Sequence, residues 1–251
     1  MTRGFYNLTS GMLSQTRRLD VVANNMTNVS TSGYKSETYT DSTFGEVLLS
    51  RVGSTDKDNP QPVGEVSSML APSEFYINHE MGGMEETGLT LDFAINGDGY
   101  FAIQRDDGTI EYTKAGNFTL DAEGYLCLPG QGQVLDREGQ PIQLTTDQIR
   151  ADQFGRITTE AGVEMGQIGV YNFGDQEQLV KAESGLFLPN GQQANLVDTP
   201  ILWGWQENSN VDMLQEMSNM LTAQRVLQSG AQVLKLYDAL LTKTTTDVGR
   251  L

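Results

Sequence analysis

The sequence predicts an α+β protein in which long N- and C-terminal helices form a coiled-coil stalk, with a central β-rich domain and an extended linker. Two observations carry this prediction. Apolar residues recur at alternating spacings of three and four near both ends of the chain, whereas the middle is rich in Gly, Asp and Thr with short alternating apolar runs. We therefore divide the chain into an N-terminal helix (1–35), an extended β/loop segment (36–86), a β-rich domain (87–205) and a C-terminal helix (206–251).

The first helix is predicted from a heptad seam, in which the polar residue Gln15 interrupts an otherwise apolar row. The apolar seam positions are Phe5, Leu8, Met12, Leu19, Val22, Met26 and Val29. Gly33 can adopt a left-handed conformation that lets the chain leave the helix, so we expect the helix to end between Ser30 and Gly33.

The C-terminal helix is predicted over about residues 210–245 from the same alternating spacing. Its apolar seam positions include Met213, Met217, Met220, Leu227, Leu234 and Leu241. The residues Ser209 and Asp212 stand three apart, as in a capping box, so we expect Ser209 to be the N-cap.

Strands and tight turns are predicted for the region between the helices. Tyr100–Ile103 and Gly166–Tyr171 are typical of strands. Turns are indicated by Asp-Asp-Gly at Asp106 and by two Asp-x-x-Gly stretches, at Asp121 and Asp136. The polar stretch from Gly53 to Gly64 is expected to be a loop or an extended linker, and the β-rich domain to begin near Thr87.

Composition limits the classes of partner. The 251 residues carry a formal charge of −17, which disfavours nucleic acid and anionic membrane surfaces. The first 13 residues lack a cleavable secretory signal, and no apolar run is long enough for membrane insertion. The single cysteine, Cys127, cannot form an intramolecular disulfide.

No pattern indicates a catalytic, cofactor or metal site. The glycines at Gly97 and Gly99 partly fit a dinucleotide fingerprint, but a strand-like run and a turn follow them instead of a helix. His79 is the only histidine and is expected to be a solvated side chain. The acid pairs Glu85-Glu86 and Asp106-Asp107 lack calcium-loop spacing and are expected to be surface charges.

Three long motifs then stand in order along the chain: Ala23–Lys35, Thr87–Phe101 and Glu207–Val211. They resemble the flagellar rod and hook protein family, and this resemblance covers nearly the whole chain. It implies a structural subunit of the flagellar basal-body rod, exported without a cleaved signal through the flagellum's own export apparatus. The partners implied are copies of itself and other rod and hook proteins.

The resemblance also implies that the terminal helices carry the assembly interface. Besides the seam positions, the assembly determinants expected from the motifs are Asn24, Asn25, Asn28, Gly33, Asn208, Ser209, Asn210 and Val211. We expect the helices to be disordered or fluctuating in the free monomer and to fold when neighbouring subunits cover their seams.

Three alternatives remain open at this stage. The helices could simply pack on the β domain of a compact α+β protein. The chain could be a secreted carbohydrate-binding or hydrolytic β-rich protein with helical ends, which would need a cleft with convergent acids. A generic coiled-coil adaptor would instead form stable helical oligomers without a β domain.

Overall fold

The computed structural model describes the backbone of residues 2–44, 47–51, 61–66, 69–182 and 184–248, and side chains within 4–41, 75–182 and 184–246. The chain packs as two units. The first combines Met1–Met26, Glu37–Tyr76 and Met213–Leu251, and the second combines Thr27–Ser36 with Ile77–Asp212.

The first unit contains the two α-helices of the described residues, α1 (Thr2–Thr27) and α2 (Met213–Val248). Its strands are β1 (Glu37–Phe44), β2 (Val47–Arg51), β3 (Gln61–Val66) and β4 (Met69–Ile77). Strand β1 pairs with β4, and β2 pairs antiparallel with β3, with Val47 opposite Val66.

The predicted coiled-coil stalk with an extended linker is wrong. The described residues after α1 form four strands in the same unit as the helices, so this stretch is not a linker. A coiled coil buries its a and d positions, yet Phe5, Met213, Met217 and Leu241 of the predicted seams are exposed. Of the predicted loop Gly53–Gly64, residues up to 60 lie outside the described residues, and the rest is in β3.

The second unit is mainly sheet. Its first eight strands are β5 (Met84–Glu86), β6 (Phe93–Ile95), β7 (Tyr100–Gln104), β8 (Ile110–Thr113), β9 (Thr119–Leu120), β10 (Leu126–Leu128), β11 (Gly132–Val134) and β12 (Ile149–Ala151). The remaining strands are β13 (Arg156–Thr159), β14 (Glu164–Gln167), β15 (Val170–Asn172), β16 (Val180–Lys181), β17 (Phe187–Leu188), β18 (Asn195–Leu196), β19 (Ile201–Trp203) and β20 (Trp205–Glu207). A short 3₁₀ helix spans Gln176–Gln178.

Antiparallel pairing organises these strands around β7. The largest sheet runs β16-β17-β8-β7-β11-β10-β9, with β15 also paired to β7 and β18 to β15. The other sheets are β12-β13-β14, β19-β6 and β20-β5. The predicted strand at Tyr100–Ile103 is confirmed as β7, whereas the one at Gly166–Tyr171 is divided between β14 and β15.

Strand β7 is buried on both faces, which places the core. Successive strand residues point to opposite sides, and here Phe101 and Ile103 join one buried cluster while Tyr100 and Ala102 join another. Buried apolar area on both sides is the main favourable contribution to folding of such a unit.

The three predicted turns are confirmed, and in each an aspartate side chain accepts a hydrogen bond from a backbone amide two residues ahead. In two of them the aspartate side chain accepts hydrogen bonds from backbone amides two and four residues ahead: Asp121 from Glu123 and Tyr125 at 3.1 and 2.6 Å, and Asp136 from Glu138 and Gln140, both at 2.8 Å. The third, at Asp107, accepts from Thr109 at 2.8 Å. Short Asp side chains and glycines with positive φ suit such turns.

Candidate assembly site

In the first unit α1 and α2 touch through side chains. A Cβ atom at Gly230 would lie 3.1 Å from Met12 Cγ and 3.8 Å from Leu8 Cδ1, and one at Gly4 would lie 3.9 Å from the Tyr237 hydroxyl. Low residue numbers of α1 therefore lie opposite high numbers of α2, and the helices run antiparallel.

The row of α2 with the lowest exposure differs from the predicted seam. Its members are spaced by four and three: Glu216, Met220, Ala223, Leu227, Gly230, Leu234 and Tyr237. Three predicted positions, Met220, Leu227 and Leu234, belong to this row. Between these three positions stand two small residues, Ala223 and Gly230. They leave room for side chains of a closely packed element.

Asn25, a predicted assembly determinant, is buried inside this unit. Its side-chain amide donates to the Glu37 carbonyl at 2.8 Å and to Glu216 Oε1 at 3.0 Å, and its Oδ1 accepts from the Glu37 amide at 3.0 Å. One side chain thus connects α1, β1 and α2. Asp41 of β1 adds a second link, because it accepts from Ser14 Oγ at 2.5 Å and lies 3.6 Å from Arg18.

The outer faces of both helices expose large apolar side chains. On α2, Leu214 is 79% exposed, Leu236 66% and Leu240 64%. Other exposed apolar side chains of the helices are Phe5, Tyr6, Leu13, Met213, Met217, Leu221, Val226, Val233 and Leu241. Large apolar side chains left exposed on a helix are typical of an interaction site.

An apolar groove of about 430 Å³ lies between the helices near one end of the pair. It is lined by Gly4, Phe5, Asn7, Leu8, Val233, Leu234 and Tyr237. The side chains that line this groove are mostly apolar and come from both helices, so another apolar helix can pack on it.

Charge is distributed unevenly between the two units. The second unit contains seven basic and 22 acidic residues, a net charge of −15, whereas the first contains nine basic and 11 acidic residues, a net charge of −2. Helix surfaces of copies of this chain can therefore approach each other with little electrostatic repulsion.

The motif residues of the second unit surround a buried ion cluster, which consists of Lys35, Glu207 and Lys114. Lys35 Nζ lies 2.6 Å from Glu207 Oε1, and both side chains are 0% exposed. Lys114 Nζ lies 4.0 Å from Glu207 Oε2 and donates to the Gly97 carbonyl at 2.7 Å. Burial lowers the pKa of Lys114 to about 8, although Glu207 opposes this shift.

Asn208 and Asn210 bind backbone and side chains around the ion cluster. Asn210 Oδ1 accepts from the Ser36 amide at 2.8 Å, and its Nδ2 donates to the carbonyls of Asn78 and Glu80 at 2.9 and 3.0 Å. Asn208 Nδ2 donates to Glu85 Oε2 at 2.9 Å. These asparagines therefore have intramolecular partners, which the sequence did not specify.

Gly33 is required by close packing in the second unit. Its φ is +67°, its amide donates to the Glu207 carbonyl at 2.7 Å, and a Cβ atom at this position would lie 2.2 Å from the Ala115 nitrogen. Because α1 already ends at Thr27, the expectation that this glycine ends the helix is wrong.

The remaining motif residues show a mixed outcome. Asn24 is exposed, Asn28 and Val211 are half-buried, and Asn28 Oδ1 accepts from the Thr31 hydroxyl at 3.2 Å. The expectation that Ser209 is the N-cap is wrong: α2 begins at Met213, and Ser209 Oγ instead accepts from the Val211 amide at 3.3 Å.

His79 was expected to be a solvated side chain, and this is wrong. Its Nδ1 lies 2.8 Å from the Tyr100 hydroxyl, and its ring packs 5.5 Å from that of Phe187. Burial, assisted by the positive charges of Lys35 and Lys114, lowers the pKa of His79 to about 4. Burial also raises the pKa of Tyr100.

Sequence reasoning did not identify Lys35, Lys114 and Glu207 as a cluster. Lys35 and Glu207 stand at the edges of two of the motifs, but 172 positions separate them. Lys35 follows an aromatic residue and Glu207 precedes an asparagine. Neither local pattern indicates that two residues so far apart in sequence form a pair.

The described residues show no sign of metal binding or of a membrane span. No cluster of three or more His, Cys, Asp or Glu side chains with metal-binding geometry occurs in this part of the chain. Within the same residues, neither helix combines the length and apolarity that crossing a bilayer requires.

Paired terminal helices with exposed apolar faces, joined to a strongly acidic sheet unit, are typical of a structural protein. Three family models match the chain: "Flagella basal body rod protein" over residues 5–35, "Flagellar hook protein FlgE/F/G D1 domain" over 94–171, and "Flagellar basal body rod FlgEFG protein C-terminal" over 204–247.

Relatives match over nearly their whole lengths. The flagellar basal-body rod protein FlgG of Bacillus subtilis (strain 168) is 34% identical, covering 96% of this chain and 97% of its own. FlgF of Rhizobium meliloti (strain 1021) is 29% identical over 99% of both chains, and the flagellar hook-basal body complex protein FlhO of Bacillus subtilis is 27% identical over 100% of both.

The chain therefore belongs to the flagellar basal-body rod protein family. It is a structural subunit of the rod, located in the flagellar basal body, and serves motility. Members of this family are structural rod proteins rather than enzymes, which favours this function over the carbohydrate-binding or hydrolytic alternative.

Proposed function

We propose that this chain polymerises with copies of itself and with other rod and hook proteins through the outer faces of α1 and α2, building the helical axial tube. The observation that carries this proposal is the row of exposed leucines on α2, which includes Leu214, Leu236 and Leu240. Fully burying one such side chain contributes about 1.5–3 kcal/mol, so a few of them can drive association.

The predicted interface residues of the helices fall into two sets, one buried within the subunit and one exposed. The buried or half-buried set consists of Leu8, Met12, Leu19, Val22, Met26, Met220, Leu227 and Leu234. Of these, Leu8 and Met12 pack against Gly230 of α2. The exposed set, with Phe5, Met213, Met217 and Leu241 from the predicted interface, is available to neighbouring subunits. A contact that repeats without closing generates a helical tube.

The subunit reaches the rod through the flagellar export apparatus and catalyses no reaction. Export of an unfolded chain agrees with helices whose apolar outer faces require neighbours. The motif residues Asn24, Asn25, Asn28, Gly33, Asn208, Ser209, Asn210 and Val211 contribute to assembly by shaping the subunit, since several of them have intramolecular partners.

The proposal is tested by complementing a strain that lacks the gene with the double variant Leu236→Ser/Leu240→Ser. We expect monomers with wild-type sheet content by circular dichroism, loss of motility and no rods in purified basal bodies. The control is Leu89→Ser/Val163→Ser, which changes two apolar residues of the second unit with similar exposures of 60% and 61%.

The control variant should retain motility, because its residues lie outside the helices. Full motility of the helix variant, or equal loss of motility in both variants, would contradict polymerisation through the helix faces.

A further inference from the structure

The buried ion cluster joins three segments that are distant in the chain. Lys35 belongs to residues 27–36, which follow α1, and its ammonium group also donates to the Glu80 carbonyl at 2.7 Å. Glu207 ends β20, and its Oε1 also accepts from the Gly82 amide at 2.9 Å. This one ion pair therefore contacts all three segments: residues 27–36, the stretch around residues 80–82 and β20.

The attachment of residues 27–36 to the rest of the second unit is largely polar. The Gly33 amide and the Ser32 hydroxyl both donate to the Glu207 carbonyl, at 2.7 and 3.1 Å, and the Ser36 amide donates to Asn210 Oδ1. Tyr34 lies beneath Lys181, whose Nζ is 3.9 Å from the ring centroid. The two buried apolar clusters contain no residue of this segment.

A buried ion pair of this kind adds little net stability, because desolvation of the two charges offsets their attraction. Removing one partner is costly, however, since it leaves the other charge buried and unpaired. The intact pair thus changes the free energy of unfolding little, whereas breaking it is strongly destabilising. Such a pair favours one arrangement of the segments that it joins over alternative arrangements.

We propose that the Lys35–Glu207 pair is a lock that holds residues 27–36 against β20 and opens as a local unit, separately from the hydrophobic core, when either partner is neutralised. Along the chain, these residues link α1 to the rest of the second unit. The lock therefore determines whether this linking segment is fixed to β20 or detached from it. Lys114, on the second carboxylate oxygen, keeps Glu207 in a cationic environment from the side of β8.

The lock is tested in the full-length monomer by amide hydrogen exchange, independently of polymerisation. In Glu207→Gln and in Lys35→Met, we expect the Gly33 and Ser36 amides to exchange about 100-fold faster, as loss of one partner of a buried pair implies. The core amides of Leu126 and Leu135, which are bonded to Ile142 and Ala102, should change by less than about three-fold.

A double-mutant cycle distinguishes the pair from its separate members. In Lys35→Met/Glu207→Gln both charges are absent, so we expect the Gly33 and Ser36 amides to exchange at least about ten-fold more slowly than in either single variant. The matched control is Glu111→Gln, which removes another buried acid of the second unit, one that lies 3.3 Å from Arg105. It should leave the Gly33 and Ser36 amides at their wild-type rates.

Three results would overturn the proposal. They are wild-type exchange at Gly33 and Ser36 in both single variants, equal acceleration of these amides and the core amides, or additive effects in the double variant. If Glu207→Gln does not fold, Glu207→Asp keeps the charge but shortens the side chain, and the same comparison of the two groups of amides decides the question.

Discussion

Close backbone approach is the reason for a glycine at position 33. Its positive φ is one requirement, and the Ala115 backbone, which would lie 2.2 Å from a Cβ atom, is the other. Gly88 has nearly the same φ, +66° against +67°, but nothing within 4 Å of its Cβ position. Comparing alanine substitutions at these two glycines therefore distinguishes the cost of conformational strain from the cost of steric overlap.

We predict that Gly33→Ala lowers the free energy of unfolding by about 2–4 kcal/mol, because strain and overlap add. Gly88→Ala should cost only about 1–2 kcal/mol, the strain of a left-handed conformation for an L-residue. Urea denaturation followed by circular dichroism measures both values. Equal losses in the two variants would show that Ala115 moves aside at no cost.

His79 makes the stability of the second unit depend on acidity. Its pKa is 6.5 in an unfolded chain and about 4 in the folded protein, so below pH 6.5 the unfolded chain binds more protons. This contribution to stability is complete above pH 6.5 and is lost as the pH falls towards 4. Lys35, Lys114 and the Tyr100 hydroxyl are the charged and titratable groups facing the ring.

We therefore predict that wild-type protein loses more stability between pH 7 and pH 4 than His79→Asn does. Asparagine places an amide near the position of Nδ1 but does not titrate. Because the carboxylates titrate in both proteins, the difference between their pH profiles reports the titration of His79. Urea midpoints at pH 7, 5.5 and 4 give the comparison. Parallel pH profiles would mean that His79 is protonated in the folded state as readily as in the unfolded chain.

At the scale of elements, the two helices differ from the sheet unit in how they are held. Strand β7 has buried neighbours on both faces, whereas the helix pair buries Val21, Val22 and Ala223 but leaves most apolar residues of α2 exposed. An apolar face that is left uncovered adds little stability to a helix in water, because helix propensity alone is insufficient.

In dilute monomer we predict rapid amide exchange in α1 and α2 beside strong protection in β7 and its neighbours, since local stability follows buried contact. Exchange measured residue by residue at a concentration below that of self-association provides the test. On addition of preassembled rods, the helix amides should become protected. Equal protection of helices and sheet in the free monomer would contradict folding upon assembly.

For the whole molecule, the separation of charge between the units sets how copies meet. A net charge of −15 on the second unit repels copies over a distance set by the ionic strength, whereas the first unit, at −2, contributes little repulsion. Under the proposed association through the helices, the repulsion between copies comes mainly from the sheet units.

We accordingly predict that raising salt from about 0.02 M to about 0.2 M promotes self-association, because the screening length falls to below about 10 Å. Sedimentation velocity at fixed protein concentration measures the change. Neutral sucrose at matched density serves as the control for nonionic effects. Weaker association at higher salt would indicate that ion pairs, rather than apolar helix faces, hold the copies together.

The sequence by itself determined the local features of this protein. Asp-x-x-Gly turns, strand β7 and two terminal helices follow from short-range preferences, because turn chemistry and side-chain periodicity act over a few residues. The three motifs likewise sufficed for the flagellar rod family, and the comparisons confirm it.

Only the tertiary structure decided which surfaces meet. Both apolar rows of α2 satisfy the same spacing, so the row that includes Ala223 and Gly230 was selected by contact with α1 and not by periodicity. The pairing of Lys35 with Glu207 and the burial of His79 depend on segments that the fold brings together from far apart in the chain. Such contacts leave no short-range pattern, because the energy that selects them arises from burial in three dimensions.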